Sequence, residues 1–167
     1  MKTSMKIVAV AVAVVAIASG GYIALTHHNS GTLNVYVQDL PANNVSAVYI
    51  TFSAVSVHGN NTGWANYSLG SRTIDILGLT ASNATLLNSI TLNAEKYTMI
   101  RLYISKVNVT VNGQNVTFSL KAPFAFINHP FNVSSNSSTA INFDFKINQD
   151  LNMNSRIFTP NIGYTVS

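Results

Sequence analysis

Val107-Asn108-Val109-Thr110-Val111-Asn112-Gly113-Gln114-Asn115-Val116-Thr117-Phe118-Ser119-Leu120 is the stretch from which the fold can be read. Apolar and polar residues alternate on both sides of Asn112-Gly113. Asn-Gly is the strongest short hairpin signal, because both central residues of a type I′ turn need positive φ. A two-residue turn there sets Val111 opposite Gln114, Thr110 opposite Asn115, Val109 opposite Val116 and Asn108 opposite Thr117. Val107, Val109, Val116 and Phe118 then share one face, and Asn108, Thr110, Asn115 and Thr117 share the other.

The same period of two recurs on both sides of the hairpin. Leu33, Val35 and Val37 alternate with Asn34 and Tyr36, and the run stops at Asp39-Leu40-Pro41. Val48, Ile50 and Phe52 alternate with Tyr49 and Thr51; the inward parity then moves to Val55 and Val57, which predicts a bulge near Ser53-Ala54. Ile74-Asp75-Ile76-Leu77 reads as a short strand, and Ile100, Leu102 and Ile104 mark the strand that leads into the hairpin. Ile141, Phe143, Phe145 and Ile147 mark another. A last strand is expected through Ile157-Phe158 and on from Ile162 to Val166, interrupted by Pro160 as suits an edge. Only Thr80 to Leu92 has helical potential, with Leu86, Leu87 and Ile90 on one side. No internal repeat is present. Many short strands with turn signals predict an all-β fold, an antiparallel two-layer sandwich.

At the N-terminus, Lys2 and Lys6 precede an apolar run from Ile7 to Ala18, and weaker apolar character continues to Leu25. Two readings compete. Ala16-Ile17-Ala18 fits the small-x-small pattern of a signal-peptidase site, which would release the domain. Ile7 to Leu25, however, is uncharged and close to the ~20 residues that a bilayer-spanning helix needs. With lysines before it and His27-His28 after it, the segment also obeys the positive-inside rule. We favour a retained anchor, a single-pass protein in the cell membrane with its domain outside, secreted instead if cleaved after Ala18. Residues 1–26 are thus read as a signal-anchor or transmembrane helix and residues 27–167 as one extracellular domain, with Thr26 to Gly31 as the evident linker. There is no cysteine for a lipobox, and no Lys/Arg-Gly/Ala junction of the archaeal pilin type precedes the apolar run.

Eight Asn-x-Ser/Thr triplets without a central proline begin at Asn44, Asn60, Asn66, Asn83, Asn108, Asn115, Asn132 and Asn136. Each is a candidate glycosylation site, useful only on a surface facing an exporting compartment. A chain this rich in Asn, Ser and Thr yields several triplets by chance. Their placement argues for more than composition: Asn108 and Asn115 fall on the polar face of the hairpin, and most others sit in turn-like stretches such as Asn60-Asn61-Thr62-Gly63.

Composition narrows the function classes. The formal charge of +4 is misleading, since Lys2 and Lys6 belong to the export segment; nine Lys and Arg less those two leave seven, against five Asp and Glu. No basic cluster appears, so no nucleic-acid partner is expected. An exported chain with no cysteine lacks the usual stapling of eukaryotic secreted domains and suits an archaeal surface better. Only 8% of residues are charged, and Asn, Ser and Thr take their place. Such a surface loses little stability in acid, because few carboxylates are there to protonate, and an acidic habitat is the expectation.

Several segments in order resemble the DUF4382 family of exported bacterial and archaeal domains. They are Gly31-Thr32-Leu33-Asn34-Val35 leading to Asp39-Leu40-Pro41, then Val48-Tyr49-Ile50-Thr51-Phe52 with Val55-Ser56-Val57-His58 and Gly63-Trp64. Ile74-Asp75-Ile76-Leu77-Gly78-Leu79 follows, then Leu92-Asn93-Ala94-Glu95-Lys96-Tyr97 with Ile100-Arg101-Leu102, and last Ile141-Asn142-Phe143-Asp144-Phe145. The resemblance implies an immunoglobulin- or transthyretin-like sandwich at the cell surface. Bacterial members are often lipoproteins; this chain lacks the lipid-bearing cysteine, which leaves its apolar N-terminus as the anchor. The family has no established catalytic residues to carry over.

Candidate chemistry is sparse. His27-His28 reads as an exposed juxtamembrane pair, since adjacent rings do not converge on one compact site. His58 ends a strand before a turn, and with His27 and His28 it is a weak metal candidate that lacks the spacing zinc requires. Blue copper is excluded by the absence of a thiolate. Asp39, Asp75, Glu95, Asp144 and Asp150 form no evident acid/base couple; Asp39 reads as a turn-former, and Asp75 as a partner for Arg72 or Arg101. There is no Gly-x-Ser-x-Gly elbow, and no buried Lys beside an acid is identifiable for an isopeptide crosslink. No enzyme activity, catalytic residue or cofactor is expected. Tyr97 is a candidate tyrosine corner. Trp64 is a weak candidate for a ligand-stacking platform, although such a Trp more often closes one end of a sandwich. A structural or interaction role follows, with envelope or membrane-complex proteins, or further copies of itself, as partners. The alternatives are a filament subunit joined by donor-strand exchange and a sugar- or metal-binding surface module.

Overall fold

The computed structural model describes residues 29–39 and 44–167; the expected N-terminal segment, with His27 and His28, lies outside the described residues. The hairpin forms as its sequence dictates. β5 (Glu95–Val111) and β6 (Gln114–Leu120) pair antiparallel from Val111↔Gln114 to Val107↔Phe118, the predicted register. Asn112 and Gly113 both take positive φ, 49° and 76°. Val107, Val109 and Phe118 are buried, whereas Asn115 and Thr117 are exposed.

β5 is the spine of the larger sheet. One of its sides carries β2 (Ala47–Gly59), with β3 (Gly63–Asp75) beyond it at the edge. The other side carries β6, then β7 (Phe124–Ile127) and β8 (Phe131–Val133) in succession. The predicted bulge is present between Phe52 and Ala54, matched by a second irregularity where β5 passes from Ile104 to Lys106. Each extra residue reverses the side-chain parity, so Ile50, Phe52, Val55 and Val57 all point inward.

The smaller sheet runs in the order β12 (Ile162–Val166), β9 (Ser138–Phe145), β1 (Ser30–Asp39), β4 (Thr85–Asn93). Here β1 pairs with β9 in parallel. In the larger sheet β11 (Ile157–Phe158) joins β6 in parallel as well, with β10 (Leu151–Asn152) antiparallel at its far side. The expected purely antiparallel sandwich is therefore two mixed sheets. A parallel pair needs a long crossover, and the whole excursion from β2 through β8 supplies it between β1 and β9.

Two further expectations change. Thr80 to Leu92 is not helical: β4 occupies most of it, with Leu87, Ile90 and Leu92 buried against β1 and Leu86 38% exposed. A bulge beside Val35 and Tyr36 puts the leucines out of strict alternation, which is why they mimic a helical face. Among the described residues the only α-helix is the four-residue α1 (Ile147–Asp150). The final strand is likewise two strands in different sheets, β11 and β12, and Pro160 lies where the chain crosses between layers.

The layers meet over one core. Leu33, Val35, Val37, Ile141, Phe143 and Phe145 of the smaller sheet pack with Ile50, Phe52, Ile100 and Leu102 of the larger. Phe145 lies 6.0 Å from Phe52 and 6.4 Å from Phe158, ring centre to ring centre. At one open side Arg72 on β3 donates to the Leu87 carbonyl on β4, tying the two edges.

Tyr97 makes the expected corner. Its hydroxyl donates to the Asn93 carbonyl at 3.0 Å, and its ring stacks on Phe131 at 5.4 Å. Burial, with the Glu95 charge adding, pushes its hydroxyl up to about 12. Tyr97→Phe is expected to keep the stack and lose about 1–2 kcal/mol by leaving a carbonyl unmatched, which urea denaturation would measure.

Candidate functional site

On the outward face of the larger sheet the strand registers assemble a row from four strands: Asn66 opposite Ser56, Ser56 opposite Arg101, Arg101 opposite Phe126. One flanking row holds Trp64 opposite His58; the other runs from Ser68 through Ala54 and Tyr103 to Phe124. Arg101 is the centre. Its guanidinium carbon stands 4.1 Å from the Trp64 ring centre and 5.0 Å from that of Phe124. Each cation–π contact of this exposed kind is worth ~0.5–1 kcal/mol. Phe124 meets Tyr103 at 5.5 Å and Phe126 at 6.1 Å. His58 meets Trp64 edge-on at 5.0 Å, and its Nδ1 bonds the Thr98 hydroxyl at 2.9 Å.

The result is a flat aromatic and arginine platform, with Trp64 43% and Phe126 53% exposed. The Nε of Arg101 is buried there without an acceptor. Ring faces and a guanidinium can bind. Trp64 therefore lies on a sheet face and does not close an end of the sandwich. Sequence reasoning singled out Trp64 but missed Arg101, Phe124 and Phe126. Their only signal was polar or aromatic residues at the outward parity of two separate strands.

All eight acceptor asparagines fall on described residues. Asn66, Asn115 and Asn132 are exposed on the outward face of the larger sheet, and Asn108 is half-buried there with its Oδ1 accepting the Thr117 hydroxyl at 2.9 Å. Asn60 stands at the turn between β2 and β3, and Asn44, Asn83 and Asn136 are exposed in loops, Asn44 and Asn136 with φ of 69° and 55°. Among the described residues none is on the outward face of the smaller sheet, where Asn34 and Asn142 belong to no triplet. A shallow depression of about 320 Å³ on that face, lined by Tyr36, Ala84, Ala140, Asn142 and Thr165 among others, carries no acidic or basic side chain among the described residues.

The carboxylates are not where the sequence suggested. Asp39 is buried, its Oδ1 accepting the Ile147 N–H at 3.2 Å, so it holds α1 against the end of β1 and is no simple turn-former. Asp150 is 1% exposed and accepts the N–H groups of Asn161 at 2.8 Å and Lys146 at 3.2 Å. Burial pushes its carboxyl up to about 7, and the nearby Asp39 charge adds to the shift. Asp75 accepts backbone N–H groups from Val48 and Leu77, a role different from the expected pairing with Arg72 or Arg101. Glu95 accepts the Thr62 hydroxyl at 2.5 Å and the Asn61 N–H at 2.7 Å, and the Thr62 bond holds it below the usual carboxylate range. Among the described residues no group of three or more His, Cys, Asp and Glu converges on a metal position.

No curated protein matches the sequence. Among solved structures the chain is similar to a Bacteroides eggerthii protein provisionally described as a cell adhesion protein, at 11% identity and a TM-score of 0.35, over 83% of this chain and 55% of that one. The family model of a domain of unknown function, DUF4382, matches residues 30–166, and its span from the start of β1 to the end of β12 covers both sheets. The chain belongs to the DUF4382 family.

Proposed function

We propose that the protein is a membrane-attached, N-glycosylated surface domain with a structural or protein-interaction role, an accessory subunit of an envelope or membrane complex. The observation that carries this reading is the distribution of the acceptor asparagines. Four lie on the outward face of one sheet and four at turns and loops, none in the core. A coat so placed leaves the outward face of the smaller sheet open to a protein neighbour. The two-layer arrangement supports an immunoglobulin- or transthyretin-like scaffold beneath it. A mass spectrum of the native protein is expected to show glycans on most of the eight acceptors and the N-terminal segment still attached. A bare chain would overturn the reading and leave the triplets as a product of composition.

A second reading, a filament subunit joined by donor-strand exchange, draws support from the place of β1. This strand lies between β9 and β4 with Leu33, Val35 and Val37 fully buried, and the same slot would accept β1 of a neighbour. A mature N-terminus at Ser19 favours the filament, because cleavage after Ala18 frees the strand. Retention of the segment favours the anchored domain.

A further inference from the structure

We infer that an N-glycan on Asn66 folds back along the sheet and covers the Trp64–Arg101–Phe126 platform of its own chain. The inference rests on the glycosylation reading above and adds an occupant for the platform. Three observations converge on it. Trp64 and Asn66 are two residues apart on β3 and share its outward face, which places their Cα atoms about 6.7 Å apart. The Ser56 hydroxyl donates to Asn66 Oδ1, which leaves Nδ2, the atom that carries a sugar, free to do so. Ser56 is also the small member of the row, so a path runs over it from Asn66 to Arg101 and on to Phe126. With strands about 4.8 Å apart these lie ~10 and ~14 Å from Asn66, within reach of a short oligosaccharide.

The chemistry of a pyranose fits what the platform lacks. Its C–H face is slightly positive and settles on the electron-rich face of an indole or phenyl ring. Its hydroxyl and ring oxygens are acceptors for guanidinium N–H groups, and Arg101 stands half-buried at the centre of the row. Exposed aromatic patches on a surface domain invite association, and a covalently attached cover removes that exposure without a separate ligand. Asn60 stands beyond the strand end, so Asn66 is the acceptor that shares both the face and the row.

Trp64 is the only tryptophan, so its fluorescence reports the platform directly. The test uses the full chain from a host that N-glycosylates it, with occupancy of Asn66 read first by glycopeptide mass spectrometry. Ser68→Ala destroys the triplet while keeping Asn66 and its bond to Ser56. Acrylamide quenching of Trp64 is expected to rise by about twofold in that variant, as an aromatic face passes from covered to open. Ser138→Ala, which removes the Asn136 triplet on the turn before β9, is expected to leave quenching unchanged. Wild type and Ser68→Ala made in a host without N-glycosylation are expected to quench alike, which isolates the sugar from the loss of a hydroxyl. Unchanged quenching with Asn66 occupied overturns the inference and leaves the coat intact. A bare Asn66 beside other occupied sites overturns it as well, and a wholly bare chain overturns both readings together.

Discussion

Phe145→Ala is expected to cost the domain about 3–5 kcal/mol, a large share of the ~5–15 kcal/mol that holds a typical domain folded. The ring is fully buried and touches three parts of the molecule at once: its own β9, Phe52 in the facing sheet, and Phe158 in the segment that crosses between layers. Truncation opens a cavity that rigid strands on both sides cannot close, and no disulfide is present to hold the layers together. In urea the midpoint should fall sharply with little change in slope. Phe126→Ala is the matched control, since a half-exposed ring on the outward face should cost under ~1 kcal/mol. Similar losses for the two variants would mean that the sheets do not meet through Phe145.

Stability is also expected to fall as pH rises from about 4 to 8, the reverse of the usual acid denaturation. The folded Asp150 carboxyl titrates at about 7, against 3.8 for the ordinary group, because burial and Asp39 disfavour its charge. Between these values the folded state binds a proton that the unfolded chain has released. The contribution is therefore complete below the unfolded value and is lost as pH passes the folded one. At ~1.4 kcal/mol per unit, the shift bounds the effect at a few kcal/mol. The charged groups facing Asp150 are Asp39 from β1 and Lys146 at the start of α1. Glu95 works in the opposite sense and only in more acid solution. Asp150→Asn should flatten the profile, and should lower stability by about 1 kcal/mol in acid because the Lys146 N–H loses its acceptor. Melting curves across this range check the claim; a melting point that climbs from pH 4 to 7 would sink it, together with the acidic habitat expected from the composition.

How far the molecule can be read from its sequence depends on the range of each interaction. The hairpin around Asn112-Gly113 was fully legible, register included, because a two-residue turn leaves one way to pair the flanking strands. The bulge after Phe52 was legible for the same reason: parity is a local property. Alternation does not encode direction or partner, so the parallel pairing of β1 with β9 was not legible. β3 escaped notice between Gly63 and Thr73 because an edge strand half-buries Ala65, Tyr67 and Leu69 and breaks at Gly70-Ser71, both with positive φ. The platform was a quarter visible. Trp64 stood out by type, while Arg101, Phe124 and Phe126 become its neighbours only once three registers are known. The Asp39–Asp150 cluster joins opposite ends of the domain, which no spacing rule links.

The parallel pairing of β1 with β9 also sets an order of events. Strands β2, β3 and β5 to β8 are near neighbours in sequence and can assemble as the chain grows. β1 precedes them and finds only β4; its other partner follows at residues 138–145, after those six strands of the larger sheet and before its β10 and β11. Contacts between distant segments close slowly, because a long loop must be ordered first. The first strand out is thus among the last to be enclosed. For that interval Leu33, Val35 and Val37 lack half their cover, and the speed with which the final fifth of the chain arrives decides whether the molecule seals itself or meets a neighbour first.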